Sequence, residues 1–274
     1  MRYTGKVVVL ILLLDLITLL PFDVLYSSEV TGFTGATLMD TQGAVRVFHS
    51  AESEGVAAAK DMILDEGDIV RTEDNGKADI LFYDGTLVEL ENSTRVIIKK
   101  ANYAPEQNRL DIEVVTGKVL VNVERLEKAP RTNAVVYTPA AVMNLQEAHA
   151  VIIVEKGNST VIGLFYGEAE IRSVVSTGKT KKMHPIRVFT NYQATVFAGK
   201  QPEAPVGLMP YLKVYKQQIG VFQQFAQSNR KMLRSIIEKR KKTDAEYIEY
   251  KAKQQQDRLS KEIPVKKDKN NKRR

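Results

Sequence analysis

The chain has 274 residues, 43% of them hydrophobic, which is enough for one or two domains with buried cores and excludes disorder throughout. It contains no cysteine, so disulfides, a lipid-modified N-terminal cysteine, thiol nucleophiles and thiolate metal sites are excluded. The net charge of +7 sits at one end: residues 230–274 carry 17 Lys+Arg against 7 Asp+Glu, a net +10, which leaves residues 1–229 at −3, without the electrostatic footprint of a nucleic-acid-binding domain.

Met1 to Lys6 is short and basic, Val7 to Leu20 is apolar apart from Asp15, and Ser27-Ser28 offers small residues. That is the layout of a secretory signal peptide. Arg2 and Lys6 before the run, with Asp23 and Glu29 after it, hold the N-terminus inside and send the rest across an inner membrane of the bacterial type. A 14-residue helix rises roughly 21 Å, short of the roughly 30 Å hydrocarbon core, which favours cleavage. Leu25 or Tyr26 before the serines makes a poor cleavage site. Residues 1–28 are therefore expected to be a signal peptide or a membrane anchor, and the remainder to lie in the periplasm or cell envelope.

From about Ala36 to Lys200 the sequence reads as strand after strand, broken at Gly43, Gly67-Asp68, Asn75-Gly76, Asp84-Gly85, Gly117, Gly157-Asn158, Gly167, Gly178 and Gly199. Many breaks lie about 8–12 residues apart, the spacing of an all-β sandwich, barrel or roll. The expected fold is mainly β over residues 36–200, either a rolled antiparallel barrel or a β-solenoid-like domain.

Parity sharpens this, since side chains of a strand alternate faces. Around Asp84-Gly85, Ile80 and Phe82 share parity with Val88 and Leu90. Only an odd connection, such as Asp84-Gly85-Thr86, sets Phe82 beside Val88, and a corner into another sheet would also satisfy the pattern. Leu110, Ile112 and Val114, then Val119, Val121 and Val123, form one apolar set. A two-residue turn at Thr116-Gly117 would pair Val114 with Val119. Thr116 is awkward in such a turn, so a solenoid-like corner is the alternative. Farther on, Ile152 and Val154, Ile162 and Leu164, then Ala169 and Ile171 supply inward positions, and Ile186 to Phe197 provides a last strand pair.

After Pro202, Pro205 and Pro210 the period changes, and Leu212, Tyr215, Ile219 and Phe222 recur at helical spacing, with Leu233 farther along. A long amphipathic helix or coiled coil is expected over residues 208–261, either docked on the β body or joined to a partner or a second copy in a homo-oligomer. Residues 262–274 read as a disordered basic tail, solubilising or drawn to anionic lipid near the membrane.

The order of motifs resembles the FecR-type extracytoplasmic domain, a family named after the regulator of iron-dicitrate transport. The matching stretches are Gly43 to Val47, Leu64 to Thr72, Ala78 to Leu90, Leu110 to Val123 around Gly117, Tyr137 to Val142, and Gly163 to Ile171. Together they cover roughly residues 36–175. The resemblance implies a domain and not a catalytic site, with structural motif residues Gly67, Asp68, Asp84, Gly85, Gly117, Pro139 and Gly167. Leu145 to His149 departs from the family's Gly-Thr step. Only six residues precede the apolar run, and a helix stands where the sensing regulators carry a small mixed domain, so a direct sigma-factor regulator is not expected.

His49, His149 and His184 are scattered singly, and no metal-ligand spacing, phosphate loop or nucleophile motif occurs. Glu89 with Glu91, and Glu168 with Glu170, share a face, as alternating acids on a solvated strand do. No catalytic residue, cofactor or metal is expected. The expected function is non-enzymatic binding or scaffolding in the envelope with a protein or polymer partner and no nucleic acid, the interaction helix presenting Leu212, Tyr215, Ile219, Phe222 and Leu233. A signalling accessory, or a secreted hydrolase with carboxylates converging in a pocket, are the alternatives.

Overall fold

A computed structural model describes residues 33–49, 54–103, 108–123, 131–155, 159–174 and 184–228, with the isolated positions Ser235, Lys242 and Lys253. The strands are β1 (Phe33–Thr34), β2 (Ala36–Gln42), β3 (Val45–Phe48), β4 (Val56–Ala57), β5 (Ile63–Leu64), β6 (Ile69–Thr72), β7 (Lys77–Phe82) and β8 (Leu87–Leu90). They continue with β9 (Arg95–Tyr103), β10 (Asn108–Asn122), β11 (Thr132–Tyr137), β12 (Ala141–Glu155), β13 (Ser159–Ser173), β14 (Ile186–Phe189), β15 (Tyr192–Phe197) and β16 (Val206–Gly207). Two helical pieces follow, α1 (Pro210–Lys213) and α2 (Tyr215–Ser228).

Three strands, β10, β12 and β13, have 15 residues each, and fully extended each would run roughly 50 Å. Each bends midway instead. The first half of β10 pairs with β9 and, in parallel, with β11, while its second half pairs with β8 and β12. One strand thus belongs to two layers of a single rolled sheet. The inward parity switches at every bend: from Leu110, Ile112 and Val114 to Val119 and Val121 in β10, from Met143 and Leu145 to Ala150 and Ile152 in β12, and from Ile162 and Leu164 to Ala169 and Ile171 in β13. All of these sit in one buried cluster between the layers.

Gly117 and Gly167 make two of the bends, with φ of 92° and 87°. A Cβ at Gly117 would lie 2.4 Å from the Thr94 hydroxyl, and one at Gly167 2.3 Å from the Glu147 carbonyl. Glu147 itself, with φ of 41°, makes the bend of β12 beside a shift in register.

The expected hairpin at Thr116-Gly117 does not form: Val114 lies opposite Val96 and Val119 opposite Leu90. Glycine turns a corner there rather than reversing the chain. Gly167 likewise bends a continuous strand. The barrel is corrected too, because the sheet is open, its main path running from β16 to β5. The parallel β10–β11 pair gives one solenoid-like turn, since the chain must travel round before coming back alongside itself. At Asp84-Gly85 the odd connection does form, as Tyr83-Asp84-Gly85, which sets Ile80 against Val88 and Ala78 against Leu90, one pair displaced from the expected register.

Pro210 at the start of α1 supplies a φ already suited to a helix. Leu208, Leu212 and Ile219 are buried against Leu120, Val151 and Val161, the outward residues of the second layer. Each such side chain contributes roughly 1.5–3 kcal/mol. Gly163 permits the approach, since a Cβ there would lie 2.7 Å from Leu212 Cδ1. A long helix over 208–261 is not what the described residues show: the helix is interrupted at Val214, and the described run ends at Ser228. Leu233, the basic tail and the N-terminal apolar run lie outside the described residues, as does the side chain of Phe222. Among the described residues no helix is long and apolar enough to cross a membrane.

Candidate functional site

The motif residues of the family resemblance are placed in turns and corners. Gly67, with φ of 94°, donates its N–H to the Ile98 carbonyl at 2.7 Å. Asp68 closes the same turn by accepting from the Asp65 N–H at 2.9 Å, and its other oxygen lies 3.0 Å from His49 Nδ1. Asp84 accepts from the N–H and the hydroxyl of Thr86 at 2.9 and 2.8 Å, while Gly85 takes φ of 96°. Burial holds the Asp84 carboxyl above its ordinary range despite bonds from Thr132 and Thr86. Pro139 sits in the turn between β11 and β12, closed by Thr138 and Ala141. These groups hold the backbone, and their polar atoms face one another rather than solvent.

Two arrays of side chains on the outward faces have the character of sites. On the second layer Asp40 lies opposite Asp79, and Asp79 opposite Glu89, so three carboxylates stand in one row across β2, β7 and β8. Like charges directly opposite repel. Burial, then Glu89 and Asp40, push the Asp79 carboxyl up to about 7. From α2, Gln218 Nε2 donates to Glu89 Oε1 at 2.6 Å and to Glu91 Oε1 at 2.8 Å, and Lys77 Nζ donates to Glu91 at 3.0 Å. Burial raises Glu89; it would raise Glu91 as well, but the bonds from Gln218 and Lys77 bring Glu91 below its usual value. The expectation of solvated acids on a strand face misses this convergence. A neighbouring cavity of about 250 Å³ is lined in part by Asp40, Asp79 and Glu89.

On the first layer a groove of about 670 Å³ is lined by Asn133, Asn144, Gln146, Tyr166, Glu168 and Phe189, among others. Gln146 faces Glu168, which faces Phe189 on the next strand, and Asn133 precedes the Ala134–Leu145 pair. Amide, amide, carboxylate and ring therefore stand in one line across β11, β12, β13 and β14. Asn144 Oδ1 is buried without a hydrogen-bond partner. Tyr166 and Phe189 are 55% and 51% exposed. The Tyr166 ring leans on His149 at 5.2 Å, and burial lowers the His149 imidazole to about 4. Glu168 pairs with Arg187 at 3.3 Å, and Glu170 with Arg172 at 2.6 Å, so the second pair of glutamates is tied to arginines.

Sequence reasoning singled out neither the amides nor the two rings, because their residues come from four strands. Of the candidate helix residues, Leu212 and Ile219 are buried within the chain and Tyr215 packs beside them, its hydroxyl accepting from Lys118 Nζ. Among the described residues no three His, Asp or Glu side chains are placed so that they could hold a metal ion together.

Residues 68–170, within the roll, match the family model described as FecR protein. Solved structures similar to the chain include two of a "putative anti-sigma factor" from Parabacteroides distasonis ATCC 8503. One shares 16% identity and a TM-score of 0.39, covering 51% of this chain and 59% of that protein. The other shares 15% identity and a TM-score of 0.39, covering 54% and 64%. The chain thus spans less than two thirds of those proteins. No curated protein matches it significantly.

Proposed function

We propose that this chain is an exported, non-enzymatic FecR-domain module of the periplasm or cell envelope that holds a protein or polymer partner in the groove of its first layer. The observation that carries the reading is the groove itself, where two half-exposed rings and the amide side chains of Asn133 and Gln146 line a space of about 670 Å³. Cavities of that size and mixed lining are typical of binding sites. The FecR domain supports an envelope setting, and it equally supports a signalling accessory whose partner is another envelope protein. A secreted hydrolase would need two carboxyl groups free to act on substrate. Glu89 and Glu91 are engaged by Gln218, and Glu91 also by Lys77, which weighs against it.

Photo-crosslinking residues placed at Asn133 and Phe189, with Arg71 on β6 as control, test the reading in fractionated envelopes. Defined adducts from the two groove positions and none from Arg71 are expected. Equal adducts from all three, or none from the groove, would end it.

A further inference from the structure

We infer that the groove binds an uncharged glycan chain, an inference that rests on the groove being the module's binding face. The line Asn133, Gln146, Glu168 and Phe189 crosses four neighbouring strands, and at about 4.8 Å per strand it spans roughly 14 Å, a track suited to an extended oligomer rather than a single small molecule. Its chemistry sets the planar polar groups of Asn133, Gln146 and Glu168 beside the flat apolar faces of Tyr166 and Phe189. Amide side chains both donate and accept, as an array of ligand hydroxyls requires. The exposed rings of Tyr166 and Phe189 offer apolar faces on which the C–H face of a sugar ring stacks.

The side-chain amides of Asn133 and Gln146 supply the directional element, each able to meet a ligand hydroxyl as donor and as acceptor. Tyr166 is braced by His149 and needs little ordering on binding.

Charge and backbone weigh against the competing ligands. Glu168 is paired with Arg187, and the remaining charges of the lining, Arg131 and Glu147, are opposite in sign, so the groove selects neither an anion nor a cation. An extended peptide adding itself as a strand would need a free sheet edge. At the groove β11, β12 and β13 are hydrogen-bonded on both sides, which leaves only the four-residue edge of β14 at the end of the line, too short to hold an extended chain along the groove.

The test is calorimetry on the full chain with N-acetylglucosamine tetramer, glucose tetramer and an acidic decapeptide as probes. At least one tetramer is expected to bind, the peptide not to bind, and Phe189→Ala and Tyr166→Ala each to weaken the tetramer at least tenfold. Both positions are exposed, and unchanged melting temperatures would show that the variants fold. Binding of neither tetramer by the folded protein would overturn the inference, as would binding unaffected by both substitutions. If glycan binding fails while Asn133 and Phe189 still crosslink to a protein, the glycan is wrong and the groove stands. If both fail, the groove is not the binding face.

Discussion

Asp79 shows how a row of ordinary residues acquires an unusual property. An unfolded aspartate titrates near 3.8, whereas Asp79 in the fold titrates at about 7, because it is buried in the middle of three facing carboxylates. Between those values the folded chain holds a proton that the unfolded chain has lost. The contribution of Asp79 to stability is therefore full below about pH 4 and lost as pH rises through 7. Lys77 opposes the repulsion from Glu89, Asp40 and Glu91 without cancelling it. Replacing Asp79 with Asn should remove this dependence and raise stability at pH 8 by about 1–2 kcal/mol, discounted from the full shift because the side chain keeps some contact with water. Urea midpoints at pH 5 and pH 8 measure it: wild type loses stability between the two, and Asp79→Asn loses less. His149 works in the opposite sense, being held neutral by burial with its pKa lowered to about 4, so its share is present above 6.5 and lost as pH falls through 4.

At the scale of elements, the contact between α1 and β13 depends on a missing side chain. Leu212 Cδ1 occupies the space that a Cβ of residue 163 would fill, and Leu208 Cδ2 lies 3.1 Å from the same point. Gly163→Val should push the helical pieces off the second layer and leave the roll intact. Hydrogen exchange is the measurement: amides of 208–228 should exchange at least tenfold faster while those of β10 and β12 keep their protection. Equal acceleration everywhere would mean that the helical pieces and the roll unfold as one unit. The sequence signals for these elements were uneven. The apolar set on either side of Gly117 was visible as alternation, and all six residues are buried as alternation requires. Whether the glycine reverses the strand or turns it into another layer was not visible, because β8, β9, β11 and β12, which pair with the two halves, are supplied from elsewhere in the chain.

For the whole described molecule, the sequence expected a β body followed by a helix, and the helix turns out to be a third layer over the sheet. Leu120, Val151 and Val161 point away from the main core and are buried because Leu208, Leu212 and Ile219 cover them. A chain ending at Gly207 should therefore be less stable by at least about 3 kcal/mol and bind a hydrophobic dye that the full chain ignores. An unchanged denaturation midpoint together with no dye binding would show that the helix adds nothing to the sheet. The same truncation removes Gln218 and uncovers Glu89 and Glu91, which are 129 and 127 positions away in sequence. The glycan groove lies on the first layer and should keep its affinity if the roll survives.

Alternation, glycine punctuation and the change of period after Pro210 are local properties, and from them the sequence alone determined a mainly β chain, which side chains face inward, and where a helix begins. The roll, the row of three carboxylates with the glutamine above it, the pairing of His49 with Asp68, and the amide-and-ring groove were decided only by tertiary structure. Each joins residues from separate strands or from strand and helix, and the register between such segments is set by long-range hydrogen bonding and packing, which no local pattern of residues encodes.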